Sequence, residues 1–243
     1  MSARVSRRRV GAILRKELRD YRRNRDMLVT MAIIPLIFLI QPVASILSLP
    51  AAASVPLSHK HQLVYLLGIP ALVPSLIAAA SIVTERQQGT LEPVLTTPVR
   101  RDEFLLGKAL APLLPSIAIS YAVYGLFVVI IELFAQQGIA SALLDAPVVI
   151  AQIVFTPLIA AWSIWIGLAI STRSTDIRAA QQLSLLGNLP VLAVVVLIAF
   201  NVIHATATLA VGLGIALLAG YSVGWRVVSA LFDRERLVTG TRT

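Results

Sequence analysis

The chain has 243 residues, of which 57% are hydrophobic and only 14% are charged, and its formal net charge is +9. A soluble domain has roughly 45–50% apolar and about 25% charged residues, so this composition excludes an ordinary water-surrounded core and indicates a membrane protein. Because there is no cysteine, the chain cannot form a disulfide framework, a thiolate zinc site or a cysteine nucleophile.

The first 25 residues include ten basic residues and precede the first long apolar run. A cleavable signal peptide has a different pattern, with a short basic region followed at once by a short apolar one. Apolar residues recur at helical spacing from Val10 to Tyr21, and basic residues occupy the other faces. This pattern predicts that residues 1–25 form a cytoplasmic amphipathic helix at the membrane interface, with its basic side chains among lipid headgroups.

Six apolar runs follow, each long enough for a helix that crosses the hydrocarbon, which takes about 20 residues. Helices are expected because lone strands would leave backbone groups unpaired in lipid. The sequence therefore predicts an all-α membrane domain over residues 26–232 and a cytoplasmic tail over 233–243. The six transmembrane helices are expected at about 27–48, 62–84, 104–134, 148–171, 183–201 and 207–230.

The basic residues give the expected orientation. Twenty of the 21 are found before the first span, around the connections after the second and fourth spans, or at the C-terminal end, and Lys60 is the exception. Because basic connections stay in the cytoplasm, we expect a multi-pass protein of the inner or plasma membrane with both termini in the cytoplasm. The basic residues border the spans and do not stand apart from them, so no nucleic-acid partner is expected.

The connection between the second and third spans, residues 85–103, is the most informative stretch. Gly89 can end the second span in a left-handed cap, and Thr90 can cap a new short helix near whose start Pro93 is tolerated. Pro98 would stop this helix. We predict a cytoplasmic helix of about one to two turns that can dock on another protein, and an ordinary ordered loop is the alternative. Its apolar face would consist of Leu91, Val94 and Leu95.

The same connection resembles the signature of ATP-binding-cassette type-2 permeases, which runs approximately Glu-Arg-Glu-x-Gly-Thr-Leu-Glu-x-Leu-x-x-Thr-Pro-Val-x-Arg-x-Glu-x-Leu-Leu-Gly-Lys. Gln87 departs from it, because the family commonly has an acidic residue there. The opening Arg15-Lys16-Glu17 resembles the basic start of that family, and the six-span order extends the resemblance over the whole chain. The matching stretches of the connection are Gly89-Thr90-Leu91-Glu92, Leu95, Thr97-Pro98-Val99, Arg101 and Leu106-Gly107-Lys108.

The resemblance implies a permease subunit that forms a translocation path as a dimer with a second protomer. It also implies export as the direction of transport. A separate ATPase subunit would hold ATP and Mg, so this chain would bind no cofactor and would not be an enzyme. The region Gly89–Thr97 would be the coupling helix that docks on the ATPase. The implied coupling residues are Glu85, Arg86, Gly89, Thr90, Leu91, Glu92, Val94, Leu95, Thr97, Pro98 and Arg101. A second cytoplasmic contact would involve Arg173, Asp176 and Arg178.

The sequence contains no phosphate-binding loop, no His-Glu-x-x-His metal pair and no nucleophile turn, so neither catalysis nor a metal site is predicted. Polar residues inside the spans are costly and mark functional candidates, although hydrogen bonds between helices would also explain them. A non-catalytic scaffold or assembly subunit of a membrane complex is the alternative to a permease. The residues that could line a substrate path are Gln41, Tyr121, Tyr124, Gln152 and Asn188.

Overall fold

The computed structural model describes residues 6–48, 62–90, 99–135 and 146–231. Among these residues there are seven α-helices, one 3-10 helix and no strand. Six helical segments are long and apolar enough to cross a membrane, which confirms the predicted all-α fold with six spans. The elements are α1 (Arg7–Arg23), α2 (Arg25–Leu47), the 3-10 helix (Gln62–Leu67), α3 (Gly68–Gln87), α4 (Arg101–Phe134), α5 (Ala146–Arg173), α6 (Ile177–Ala199) and α7 (Ala207–Leu231).

Two predicted segments lie outside the described residues. One is the tail at 233–243, and the other is most of the predicted coupling helix. The coupling residues concerned are Leu91, Glu92, Val94, Leu95, Thr97 and Pro98.

The end of α3 is fixed by a glycine cap, as its sequence predicts. Gly89 has a φ of +66°, a left-handed conformation that a residue without a Cβ adopts at little cost. Its N–H donates to the carbonyl of Arg86 (3.2 Å), and the N–H of Thr90 donates to the carbonyl of Glu85 (3.0 Å). These two bonds form a Schellman motif, so the helix stops at a defined point directly before residues 91–98.

The starts of α4 and α6 are fixed by carboxylates. The Glu103 carboxylate accepts a hydrogen bond from the backbone N–H of Arg100 (3.0 Å), and Asp176 accepts one from the N–H of Ala179 (2.8 Å). Both bonds satisfy backbone donors that a helix start leaves free. Because Asp176 caps it, α6 begins at Ile177, six residues before the predicted span, and its first turns are polar. The connection after α5 therefore comprises only residues 174–176.

α3 is the central helix of the bundle and packs most extensively on α5 and α6. Nearly all of its residues are buried, whereas the other spans carry exposed large apolar side chains suited to lipid. The contact with α5 is close because small residues face each other. A Cβ added to Gly167 would lie 2.5 Å from the carbonyl oxygen of Ser75 and 2.9 Å from the Cβ of Ala78.

The predicted amphipathic helix is present as α1, and its apolar face contacts protein. Ile13 packs on α4 so closely that a Cβ on Gly107 would lie 2.6 Å from its Cγ2. Leu14 and Leu18 pack beside the buried Tyr21 in a cluster with residues of α2. The opposite face carries the exposed side chains of Arg15, Arg19, Arg22 and Arg23.

The close contact between α3 and α5 predicts the effect of Gly167→Ala. The new methyl group would meet backbone atoms of α3, so the helices must separate, and we expect a loss of about 1–3 kcal/mol in unfolding free energy. The measurement is the thermal unfolding midpoint of the purified protein in detergent. Gly212→Ala in α7 is the matched control, because a Cβ there meets nothing within 4 Å. An equal loss in both variants would show that close packing is not the cause.

Candidate functional site

Ion pairs between α1, α3 and α4 gather at one end of the bundle, where α3 ends, α4 begins and the α5–α6 connection lies. We call this the polar end. It includes the described parts of both connections that the sequence singled out. The interactions there fall into three groups, which join different helices.

The first group surrounds Lys108, whose side chain is only 1% exposed. Its Nζ lies 2.9 Å from Oε1 of Glu17 in α1 and 3.0 Å from Oε2 of Glu85 in α3. It also donates to the carbonyl of Ser81 (3.3 Å). The buried ammonium is therefore ion-paired with two carboxylates and hydrogen-bonded to one backbone carbonyl.

Lys16 completes this group at its outer edge. It forms an ion pair and hydrogen bond with Glu85, and its Nζ lies 3.7 Å from Oε1 of Glu17. We call Lys16, Glu17, Glu85 and Lys108 the ion cluster. The formal charges of its two acids and two bases sum to zero, which satisfies the requirement that buried charges be paired.

Two groups of α1 have shifted pKa values at this site. Partial burial alone would lower the pKa of Lys16, but the hydrogen bond and charge of Glu85, with Glu17 and Asp20, raise it above the ordinary value. Burial raises the pKa of Tyr21 well above its usual range, and the neighbouring carboxylates raise it further. Lys16 is therefore a cation and Tyr21 a neutral phenol near neutral pH.

The second group ties the start of α1 to the start of α4. Glu103 is fully buried, and its Oε1 accepts from the backbone N–H of Ser6 (2.8 Å). Its Oε2 lies 3.4 Å from Nε of Arg9. α1 is thus attached to α4 at both ends, because Glu17 contacts Lys108 further along.

The third group joins α3 to the α5–α6 connection. Nη1 of Arg86 donates to the carbonyl of Ser174 (2.7 Å), and Nη2 donates to the carbonyl of Thr172 (2.9 Å). Nε2 of Gln87 donates to the carbonyl of Thr175 (3.0 Å). We call these three bonds the carbonyl clamp. An acidic residue, which the family commonly has in place of Gln87, could not donate this third bond.

The structure brings several predicted coupling residues together. Glu85 belongs to the ion cluster, Arg86 to the carbonyl clamp, and Gly89 and Thr90 to the cap of α3. Arg101 lies at the start of α4, where its Nε and Nη2 are buried with no hydrogen-bond partner among the described residues.

The predicted second contact lies beside the carbonyl clamp. Asp176 caps α6, while Arg173 and Arg178 have exposed side chains. The clamp therefore connects the two stretches that the sequence proposed as separate contacts.

The residues proposed for a substrate path are not gathered in the same way. Gln152 and Asn188 are buried inside the protomer, and Nδ2 of Asn188 donates to the carbonyl of Ser184 one turn earlier (2.8 Å). The Tyr121 hydroxyl donates to the carbonyl of Ile153 across the α4–α5 contact (2.8 Å). Tyr124 and Gln41 are partly buried. Asn188 and Tyr121 thus make hydrogen bonds within and between helices, whereas Nε2 of Gln152 is buried with no hydrogen-bond partner among the described residues.

A cavity of about 650 Å³ adjoins the ion cluster. It lies between the second half of α1, the start of α2 and the end of α3. A second cavity of about 360 Å³ shares Asn24, Met27 and Thr84 with it and extends to Asp176 and Arg178 on α6. The end of α3 thus borders open space on one side, which leaves room for it to be displaced.

The sequence assigned no role to several residues of the site, among them Glu17, Gln87, Glu103 and Lys108. A signal was present for Lys108, because a lysine followed by a long apolar run needs a counter-charge. The sequence did not show which acid supplies that counter-charge.

Together, these features define the class of the protein, which is a multi-pass helical membrane protein whose helices are joined by ion pairs and hydrogen bonds at the polar end. The family model described as ABC-2 family transporter protein matches residues 11–219. The chain therefore belongs to this family and is a membrane permease of the ABC transporter type. Permeases of this family are membrane components and are not themselves catalytic. No curated protein matches the chain.

The carbonyl clamp predicts the result of Arg86→Lys. A lysine keeps the charge but cannot present two donors in a planar fork, so at least one of the carbonyls of Thr172 and Ser174 loses its partner. We expect faster amide hydrogen exchange in residues 174–180 and a loss of about 1–3 kcal/mol in unfolding free energy. Hydrogen–deuterium exchange with mass spectrometry measures the first effect. Arg178→Lys, at an exposed side chain on α6, should leave exchange unchanged.

Proposed function

We propose that this permease is an exporter subunit of the inner or plasma membrane that works as a dimer and is driven by a separate ABC ATPase. ATP and Mg would be bound by that ATPase. The observation that carries the proposal is the carbonyl clamp, because its hydrogen bonds join the end of α3 to the α5–α6 connection, so that the two connections at the polar end would move together. Membership of the ABC-2 family supports the need for an ATPase partner in general.

The polar end is proposed to face the cytoplasm, where ATP is available. Twenty of the 21 basic residues belong to this side of the predicted topology, and basic segments are retained in the cytoplasm. The exposed arginines of α1 would then lie near the anionic headgroups of the inner leaflet. Both termini are cytoplasmic in this arrangement.

The ATPase is proposed to dock on residues 89–97 and, more weakly, around residues 173–178. A displacement of residues 89–97 by the ATPase would move the end of α3 directly, because the Schellman motif at Gly89 fixes the direction in which the chain leaves the helix. The carbonyl clamp would carry the displacement to α5 and α6, and the ion cluster would carry it to α1 and α4. Such a switch requires two states that the ATPase contacts differently, and the cavities beside α3 provide space for the second.

The translocation path is proposed to lie between two protomers. α3 fills the middle of the described bundle, and nearly every residue along it is buried. That leaves no channel through the described part of a single protomer. The few charges within the spans suit amphiphilic or lipid-linked substrates better than multiply charged solutes, because charge at that depth is costly.

Docking on the short segment predicts the effect of Leu91→Asp and of Leu95→Asp. A carboxylate on the apolar face that the sequence predicts would be buried without a partner in the ATPase cleft, so co-purification with the ATPase and ATP-driven transport should both be lost. Membrane insertion should be unaffected, because the segment lies outside the spans. Leu95→Met keeps an apolar side chain of similar volume and is the control. Full co-purification of both aspartate variants would contradict this docking site.

The proposed topology can be tested by single-cysteine labelling, because the chain has no native cysteine. Thr90 and His204 both have exposed side chains, beyond the ends of α3 and α6 respectively. With a membrane-impermeant maleimide, His204→Cys should be labelled in intact cells and Thr90→Cys only after permeabilisation. The reverse pattern would place the polar end outside the cytoplasm and refute docking of a cytoplasmic ATPase.

A further inference from the structure

Lys108 is the one residue of the ion cluster that contacts carboxylates from two other helices and is itself buried. Glu17 and Glu85 are also buried, with 4% and 5% of their surfaces exposed. Their carboxylate oxygens lie within 3.0 Å of the same Nζ. The ammonium therefore stands between two acids that come from α1 and α3.

Without this cation the two carboxylates would repel each other. Like charges in a poorly solvated site raise the free energy strongly, and the site responds by separating the groups or by taking up a proton. Lys16 cannot fully replace Lys108. Its side chain is 44% exposed, and it lies 3.7 Å from Glu17, so water screens its charge more effectively.

We propose that Lys108 is a positioning residue for coupling, whose charge holds the second half of α1 against the end of α3. α1, α3 and α4 would then move as one body when the segment between α3 and α4 is displaced. The structural part of this inference is independent of the ATPase, whereas its link to transport rests on the proposed function.

The contact between α1 and α3 at the ion cluster is not closed by packed side chains on every side, because the 650 Å³ cavity lies beside it. The other titratable or charged groups that line the cavity are Asp20, Tyr21, Arg23 and Arg25. Lys108 also lies over the ring of Phe104, with Nζ 5.6 Å from the ring centroid, so a test must separate its charge from the packing of its stem.

The test is a distance measurement between α1 and α3 in liposomes. Spin labels are placed at Arg19→Cys and Gln88→Cys, two exposed positions in a chain without native cysteine. Double electron–electron resonance then gives the distribution of distances. We expect a narrow distribution with Lys108 present and a longer, broader one in Lys108→Met, which keeps an apolar stem but removes the charge.

Two further variants separate charge from packing. Glu17→Gln combined with Lys108→Met removes one acid and one base, and leaves the Lys16–Glu85 pair balanced. Its distribution should be narrow again. Lys16→Met is the matched control, because Lys16 contacts the same acids from an exposed position, and it should broaden the distribution far less than Lys108→Met.

Restoration of the narrow distribution by the combined variant is the readout that a purely structural role of the Lys108 side chain would not give. A narrow distribution in Lys108→Met at neutral pH would overturn the proposal. So would a combined variant as broad as Lys108→Met, because the stem and not the charge would then be responsible.

The link to transport is tested by reconstitution with the ATPase. Lys108→Met should lower the amount of substrate moved per ATP hydrolysed by about tenfold, within the range reported for substitutions in coupling networks, and the combined variant should restore it. An unchanged ratio alongside a broadened distance would overturn the link to coupling. Absence of ATP-driven transport by the unsubstituted protein would refute the proposed function and this link, while the distances would still decide the structural part.

Discussion

A buried lysine ammonium needs opposite charges around it, and this requirement organises the polar end of the bundle. Lys108 follows the start of a membrane-spanning helix and has almost no contact with solvent. An unpaired charge there would cost several kcal/mol. Glu17 and Glu85 remove that cost from two directions, so the positions of α1, α3 and α4 depend on one another. The carbonyl clamp extends this dependence to α5 and α6.

Much of the fold could be predicted because its causes are local. The apolar runs predicted the six spans, and Gly89 predicted the end of α3. The span was predicted from residue 183, whereas α6 begins at Ile177, because hydropathy registers only the apolar part of a helix. Its first turns are polar, and they form because Asp176 caps them. The amphipathic pattern of α1 was also correct, but a pattern alone does not distinguish a lipid surface from an apolar protein surface.

The site could be predicted only in part because its partners are distant in sequence or are backbone atoms. Arg86 was singled out as a coupling residue, yet its acceptors are carbonyls of the α5–α6 connection, which any sequence provides. Glu17 and Lys108 both belonged to recognised stretches, but nothing local pairs them. Gln152 and Asn188 were reasonable path candidates as polar residues in lipid, and only the packing shows that they lie inside the protomer.

The pairing of Glu17 with Lys108 also bears on how the protein is assembled during synthesis. α1 leaves the ribosome before the residues that complete its ion pairs, because Glu85, the partner of Lys16, follows with the second span and Lys108, the partner of Glu17, follows with the third. Until those spans are inserted, Glu17 and Lys16 must remain hydrated at the membrane surface. α1 is therefore made before the helices that it packs against, and a chain interrupted before α4 would leave α1 without its ion-pair partners.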